Sequence, residues 1–236
     1  MRFITRQSLR YGVVFLVLWL WTSMVSAQEH HPHHPLPLEQ YLAILEDPKR
    51  DEWQKPQAVI EALNLQDGQF VADIGAGSGY FTLRLARAVG KKGAVFAVDV
   101  DKGMLDYLRQ RLAKEHLQNV QVMLVPPHDP LLIDGSLDLV FMCNTYHHLE
   151  DREVYLRKLR KALKSDGRVV IVDFYKKNDM PVGPPPQMRL SEETVQQELQ
   201  NAGLRVTDTL TFLPYQYILI AQATTEAAVP FPAGKS

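Results

Sequence analysis

The spacing of apolar residues changes along this chain, and each change marks a boundary. From Leu38 to Leu63 they recur at helical intervals, interrupted by Pro48 and Pro56 with Trp53 between them. That pattern predicts short helices packed against the front of a larger body. At FVADIG (residues 70–75) the spacing becomes a short apolar run ended by a glycine turn, as in a buried parallel strand. The next segment puts Phe81, Leu85, Ala88 and Val89 on one helical face, Arg84 and Arg87 on the other, and stops at Gly90.

The alternation then repeats. AVFAVDV (94–100), VQVMLV (120–125), LDLVFMCN (137–144) and RVVIVDF (168–174) read as strands, the last entered through a turn at Ser165-Asp166-Gly167. Asp101 caps a helix that buries Met104, Leu105, Leu108 and Leu112, and Leu156, Leu159 and Leu163 face the core from another. Strand–helix alternation of this kind predicts a parallel sheet with helices on both faces. The ending breaks the rule. Ser191 caps a helix with Glu192 and Glu193 in its first turn, closed by Gly203. LRVTDTLTFL and YQYILIAQA then meet at Pro214 with no room for a crossover, so these two strands are antiparallel to each other. The expected fold class is α/β: an open, doubly wound, mostly parallel sheet finished by a C-terminal antiparallel hairpin.

The first 27 residues follow a different pattern. Arg2, Arg6 and Arg10 precede an unbroken apolar run from Gly12 to Trp21, and Val25-Ser26-Ala27 offers small residues for cleavage. This reads as a signal peptide or an uncleaved membrane anchor that directs the rest of the chain out of the cytoplasm. A start at Met24 would instead leave a cytoplasmic form. Residues 28–37 form a spacer in which His30, His31, His33 and His34 surround Pro32; prolines leave nothing to fix ligand geometry, so no metal site is expected. The main domain is expected over 38–225 and a flexible tail over 226–236. After the leader roughly 200 residues remain, enough for one domain and thin for two. With 26 basic and 27 acidic residues, the charge balance gives no reason to expect nucleic acid. The lone Cys143 excludes a disulfide framework and is expected to be a small filler at a strand end.

Chemistry concentrates in VADIGAGSGYF (71–81) and just past the fourth strand. Gly75, Gly77 and Gly79 let the backbone turn tightly and let a ligand approach a helix N-terminus. Tyr80 stands where the dehydrogenase spacing needs a third glycine. Asp73 is either a grip residue or a turn carboxylate, and Asp99, ending the second strand, is placed to accept from two ribose hydroxyls.

With AVDVD, LDLVFMCNTYHHLED and DGRVVIVDF, these motifs make residues 53–223 resemble a class I S-adenosylmethionine-dependent methyltransferase (Rossmann-like) of the methyltransferase type 11 group. The resemblance implies S-adenosylmethionine as cofactor, with Gly75, Ala76 and Gly77 along its methionine part, Asp99 on the ribose, Val100 against the adenine and Asn144 beside the sulfonium. Where the family has Gly-Asp to hold the adenine amine, this chain has Pro126 and Pro127, and Asp129 is the expected substitute. The single cysteine separates it from the arsenic-methylating branch.

Methyl transfer needs positioning above all, and a base only where the nucleophile carries a proton. Tyr146, His147 and His148 are the candidate catalytic residues, either histidine being able to take that proton near neutral pH. MPVGPPPQM (180–188) is a wall or lid over the substrate, with Tyr215 and Tyr217 beside it, or a stiff linker. A small, partly apolar methyl acceptor is expected, with membrane contact only through the leader. The alternative is an exported, non-catalytic binding module that keeps the fold.

Overall fold

The computed structural model describes residues 36–224. The leader, the histidine cluster of the spacer and the C-terminal tail lie outside the described residues. The interrupted pattern at the front becomes α1 (Leu38–Leu45), α2 (Arg50–Gln54) and α3 (Pro56–Ala62). Lys55, with φ 44°, separates α2 from α3 in the left-handed region, which lets Pro56 open the new helix.

Strands β1 (Phe70–Ile74), β2 (Ala94–Asp99), β3 (Val120–Leu124), β4 (Leu137–Cys143), β5 (Leu163–Phe174), β6 (Leu204–Leu210) and β7 (Gln216–Ala223) form one sheet in the order β3-β2-β1-β4-β5-β7-β6. The pairings from β3 through β5 are parallel, and β7 lies antiparallel between β5 and β6. The sheet is therefore mostly parallel and closes on the expected antiparallel pair.

Period-two alternation sends successive side chains to opposite faces. Ala72, Ile74, Val140, Met142, Val169 and Ile171 pack on one side against α6 (Arg152–Ala162) and α7 (Glu192–Asn201) through Leu156, Leu159, Val195 and Leu199. Val71, Leu139, Phe141, Val170 and Val172 pack on the other, against α3 and α4 (Thr82–Ala88) through Val59, Leu85 and Ala86. Helix α5 (Lys102–Lys114), N-capped by Asp101 accepting from the Met104 N–H at 3.0 Å, adds Leu105, Leu108 and Leu112. Both faces of the central strands are dry, which is why those strands read as apolar runs.

Two sequence expectations change. The Ser165-Asp166-Gly167 turn is absorbed into β5. Leu163 pairs with Leu137 and Arg168 with Leu139, so the extra residues bulge out of the ladder, and Leu163 belongs to the strand rather than the helix. Lys164 anchors the bulge on Asp138 at 2.8 Å. The proline segment 180–188 lines no part of the cavity described below. Arg189, 3% exposed, donates to the carbonyls of Pro184 (2.7 Å), Lys177 (2.6 Å) and Val182, which makes the segment a strapped connector lying against Phe174. Tyr217 is buried in the core, while the Tyr215 ring lies tilted beside Trp53.

Candidate active site

All parallel strands point their carboxyl ends at one edge, and open α/β sheets bind ligands there. A cavity of about 380 Å³ occupies that edge, within the size range of small-molecule sites. The loop after β1 forms its floor. Gly75 (φ 70°) donates its N–H to the Val98 carbonyl at 2.8 Å, and a Cβ there would sit 2.2 Å from Thr145 Oγ1, so this turn requires glycine. Gly77 (φ 52°) donates its N–H to Asp99 Oδ2 at 2.7 Å, locking the loop to the end of β2.

Two acids face this floor. Asp73 is 3% exposed and accepts from Thr82 Oγ1 at 2.6 Å. Burial raises its pKa to about 7, with the Asp99 charge adding to the rise and Thr82 and Arg50 opposing it. Asp99 accepts from Gly77 on one oxygen and from the Asp101 N–H, at 2.9 Å, on the other. Its pKa also rises through desolvation, opposed by these backbone donors.

The structure brings Asp73, Gly75, Ala76, Gly77, Asp99, Val100, Asn144 and His148 together around the cavity. It separates Tyr146, His147 and Asp129 from them. Tyr146 to His148 form a 3-10 turn, whose three residues per turn send consecutive side chains in three directions. Tyr146 is fully buried, its hydroxyl donating at 2.6 Å to Glu198, which Arg152 also grips at 2.7 Å. His147 turns to Asp173, with Nδ1 2.9 Å from Oδ1. His148 alone of the three reaches the cavity, tilted against His147 with ring centroids 4.1 Å apart. Burial, then the neighbouring His147, lowers the His148 pKa below the usual imidazole value, so the ring is neutral at pH 7. Asp129 is captured by Lys158 at 2.8 Å and accepts from the Leu131 N–H; Pro127, Val125, Leu149 and Tyr155 line the cavity where a substitute acceptor was expected.

Other lining residues carried no sequence signal. Tyr41, Leu45 and Arg50 come from α1 and α2. Glu46 straps these helices to the glycine loop by accepting from Ser78 Oγ and Arg111 Nη1, each at 2.5 Å. Asn144, at φ 58°, sits in a closed ring of amides: Gln54 donates to Gln216, Gln216 to Asn144, and Asn144 back to Gln54 at 3.3 Å. Gln54 and Gln216 are both fully buried, so the ring ties α2 to the end of β4 and the start of β7. Cys143 lines the cavity floor, and burial pushes its thiol pKa up, which keeps it protonated. Among the described residues no His, Cys, Asp or Glu cluster suited to a metal occurs.

A seven-stranded α/β sheet with a glycine turn, a buried acid ending β1 and an acid ending β2 defines a nucleotide-type cofactor site at a sheet edge. A methyltransferase domain model matches residues 71–167. A SAM dependent methyltransferase from Aquifex aeolicus is 31% identical, with a TM-score of 0.75, over 80% of this chain and 100% of that one. A probable cobalt-precorrin-6B C(15)-methyltransferase (decarboxylating) of Sulfurisphaera tokodaii is 31% identical over 58% of this chain and 69% of its own length. The ubiquinone/menaquinone biosynthesis C-methyltransferase of Vibrio vulnificus is 28% identical over 50% of this chain, which spans 45% of that relative's length. The chain belongs to the S-adenosylmethionine-dependent methyltransferases. The residues present fit that family's cofactor: two acids at adjacent strand ends, and a glycine turn where a Cβ on Gly77 would have no neighbour closer than Leu45, 3.7 Å away.

Proposed function

We propose that this chain transfers the methyl group of S-adenosylmethionine to a small, partly apolar molecule. The observation that carries the reading is the single cavity edge where Asp73, Asp99 and the glycine turn meet His148. Bound there, the cofactor supplies a methyl carbon already activated by its sulfonium. The protein's part is to hold the two reactants in line, which can lower a barrier by roughly 7–11 kcal/mol. His148 takes the acceptor's proton where there is one. Leu45, Phe81, Val125 and Leu149 on the lining support an apolar component in the acceptor, and the near-even charge balance disfavours nucleic acid. Incubating the protein with methyl-labelled cofactor and cell extract tests this. Label is expected in the small-molecule fraction; label in tRNA alone would refute the substrate class, and bound cofactor with no label transferred anywhere would favour a non-catalytic module.

The Asp73 carboxyl would face the cofactor's ammonium. An ammonium partner favours the charged carboxylate, so binding must release the proton that free Asp73 holds below about pH 7. Affinity for S-adenosylhomocysteine is therefore expected to rise as pH increases from 6 towards 8, by roughly tenfold for each unit gained below 7. In the unliganded protein the sign for stability is opposite. Between 3.8 and about 7 the unfolded carboxyl is charged while the folded one is neutral, so stability falls as pH rises through that window. Calorimetric titration at several pH values, in two buffers of different ionisation heat, reads the proton release. Asp73→Asn should abolish it, and a pH-independent affinity in the parent would remove the assignment.

The leader supports an extracytoplasmic location for the domain. Fractionating cells that carry a C-terminally tagged copy, with N-terminal sequencing, tests this; a cytosolic product beginning at Met1 would defeat it.

A further inference from the structure

The cavity changes character along its length. Near the glycine turn its wall carries Asp73 and Asp99. Beyond Asp99 it runs between Val100 and Met104 on one side, Pro127 from the loop after β3, and Tyr155 from α6. Of these four side chains only Tyr155 carries a hydroxyl. The residue is 4% exposed, and no group among the described residues bonds that hydroxyl. Among the described residues, Arg160 Nε is the one side-chain nitrogen or oxygen that is both sealed from solvent and unbonded. The Tyr155 hydroxyl is therefore not sealed, and the open space within its reach is the cavity it lines. An unbonded polar atom on a buried residue is uncommon and calls for a partner.

The stretch where the family places its base-reading acid offers this end little else. Pro126 and Pro127 have no N–H to donate. The Val125 N–H donates to the Asp99 carbonyl and the Asp129 N–H to the Pro126 carbonyl, each at 3.1 Å. The Asp129 carboxylate is held by Lys158 at 2.8 Å and by the Leu131 N–H at 2.9 Å. Between residues 125 and 129 only the His128 N–H has no acceptor among the described residues. Burial raises the Tyr155 pKa, with the charges of Asp129 and Asp99 adding to the rise, so the phenol stays protonated. A protonated hydroxyl donates and accepts, and its hydrogen turns to suit the partner; a carboxylate only accepts.

We propose that the Tyr155 hydroxyl reads the 6-position of the cofactor's purine, and that this cavity therefore takes a 6-oxopurine about as well as a 6-aminopurine. The proposal rests on the cofactor reading, which puts the ribose at Asp99 and the base beyond it. An amine donates to the hydroxyl oxygen, and an oxo group accepts the hydroxyl hydrogen, so one side chain serves both. A carboxylate reader, such as Glu150 on the cavity wall, would accept from the amine and repel the oxo group. The His128 N–H, directed at the ring nitrogen beside the amine, would also reject the oxo form, whose nitrogen carries a hydrogen.

The test is calorimetric titration of the full chain with three nucleoside thioethers. 5′-Methylthioadenosine carries the amine, 5′-methylthioinosine the oxo group, and the 5′-methylthio derivative of purine riboside has only hydrogen at that position. All three lack the amino-acid end, so nothing at the glycine turn separates them. In the parent protein the adenosine and inosine compounds should bind within about threefold of each other. The unsubstituted purine should bind roughly threefold to tenfold more weakly than either, the span of one uncharged hydrogen bond. Tyr155→Phe keeps the ring and removes the hydroxyl, and should bring all three compounds within about twofold of one another. A larger loss from adenosine to inosine in the parent would overturn the proposal and give the base edge to a carboxylate or a backbone donor. Equal binding of all three in the parent would overturn it as well, because nothing would then read the 6-position. So would a Tyr155→Phe protein that keeps the parent's preferences or weakens all three equally. The parent comparison needs no variant, so it can overturn the proposal even if Tyr155→Phe fails to fold. If none of the three binds the parent, the cofactor reading fails first and the proposal falls with it.

Discussion

Asp99→Ala is expected to weaken S-adenosylhomocysteine binding by roughly 1.5–3 kcal/mol, about tenfold to a hundredfold in Kd. An ionised carboxylate has about four lone-pair positions. The N–H groups of Gly77 and Asp101 hold one oxygen each and the Val100 backbone also bonds the carboxylate, so a ribose hydroxyl would use the capacity left over. The substitution therefore removes the ligand's acceptor and also unties the glycine loop from β2. These parts can be separated. Asp99→Asn keeps one oxygen for the Gly77 N–H and loses the negative charge, so it should hold the loop better than alanine while still binding the ligand weakly. Titration of both variants, with thermal unfolding of the unliganded proteins alongside, reads the two contributions. Parent-like affinity in Asp99→Ala would remove the ribose assignment.

The same residue shows what was legible in the chain. Asp99 ends an apolar run, follows a glycine turn by one strand–helix unit, and is found by local pattern alone. The strand–helix alternation, the antiparallel finish and the caps at Asp101 and Ser191 are local in the same sense. What the sequence hid depends on partners far along the chain. Gln54 and Gln216 are 162 positions apart, and nothing near either marks it as half of a buried amide pair. Arg50 looks like any surface arginine on a five-residue helix until the cavity appears above Tyr80. Direction is the other hidden quantity. Tyr146, His147 and His148 are equivalent as a string, and only the 3-10 geometry after β4 sends one to Glu198, one to Asp173 and one to the cavity. Asp129 was legible as a nearby acid, but Lys158, one helix away, had already claimed it.

His148→Asn is expected to lower turnover by about 10²–10⁴-fold on an acceptor whose nucleophile carries a proton, with S-adenosylhomocysteine affinity unchanged. His148 lines the cavity, and none of the hydrogen bonds that lock the glycine loop involves it. Its lowered pKa keeps the ring neutral at pH 7, as a base must be, and protonation switches it off as pH falls below that value. The acid limb of the turnover profile should thus lie below 6.5 and vanish in His148→Asn. The limb set by Asp73 lies near 7, belongs to binding, and should persist in the variant. His147 offers the contrast. Its ring is fixed on Asp173 with both side chains 2% exposed, so His147→Asn should disturb the packing behind His148 and the stability of the turn without removing the acid limb. Measuring turnover against pH for the parent and both variants, once label transfer has identified an acceptor, tells the two histidines apart. Full turnover in His148→Asn on a proton-bearing acceptor would remove it as the base and return the search to the other groups that face the cavity.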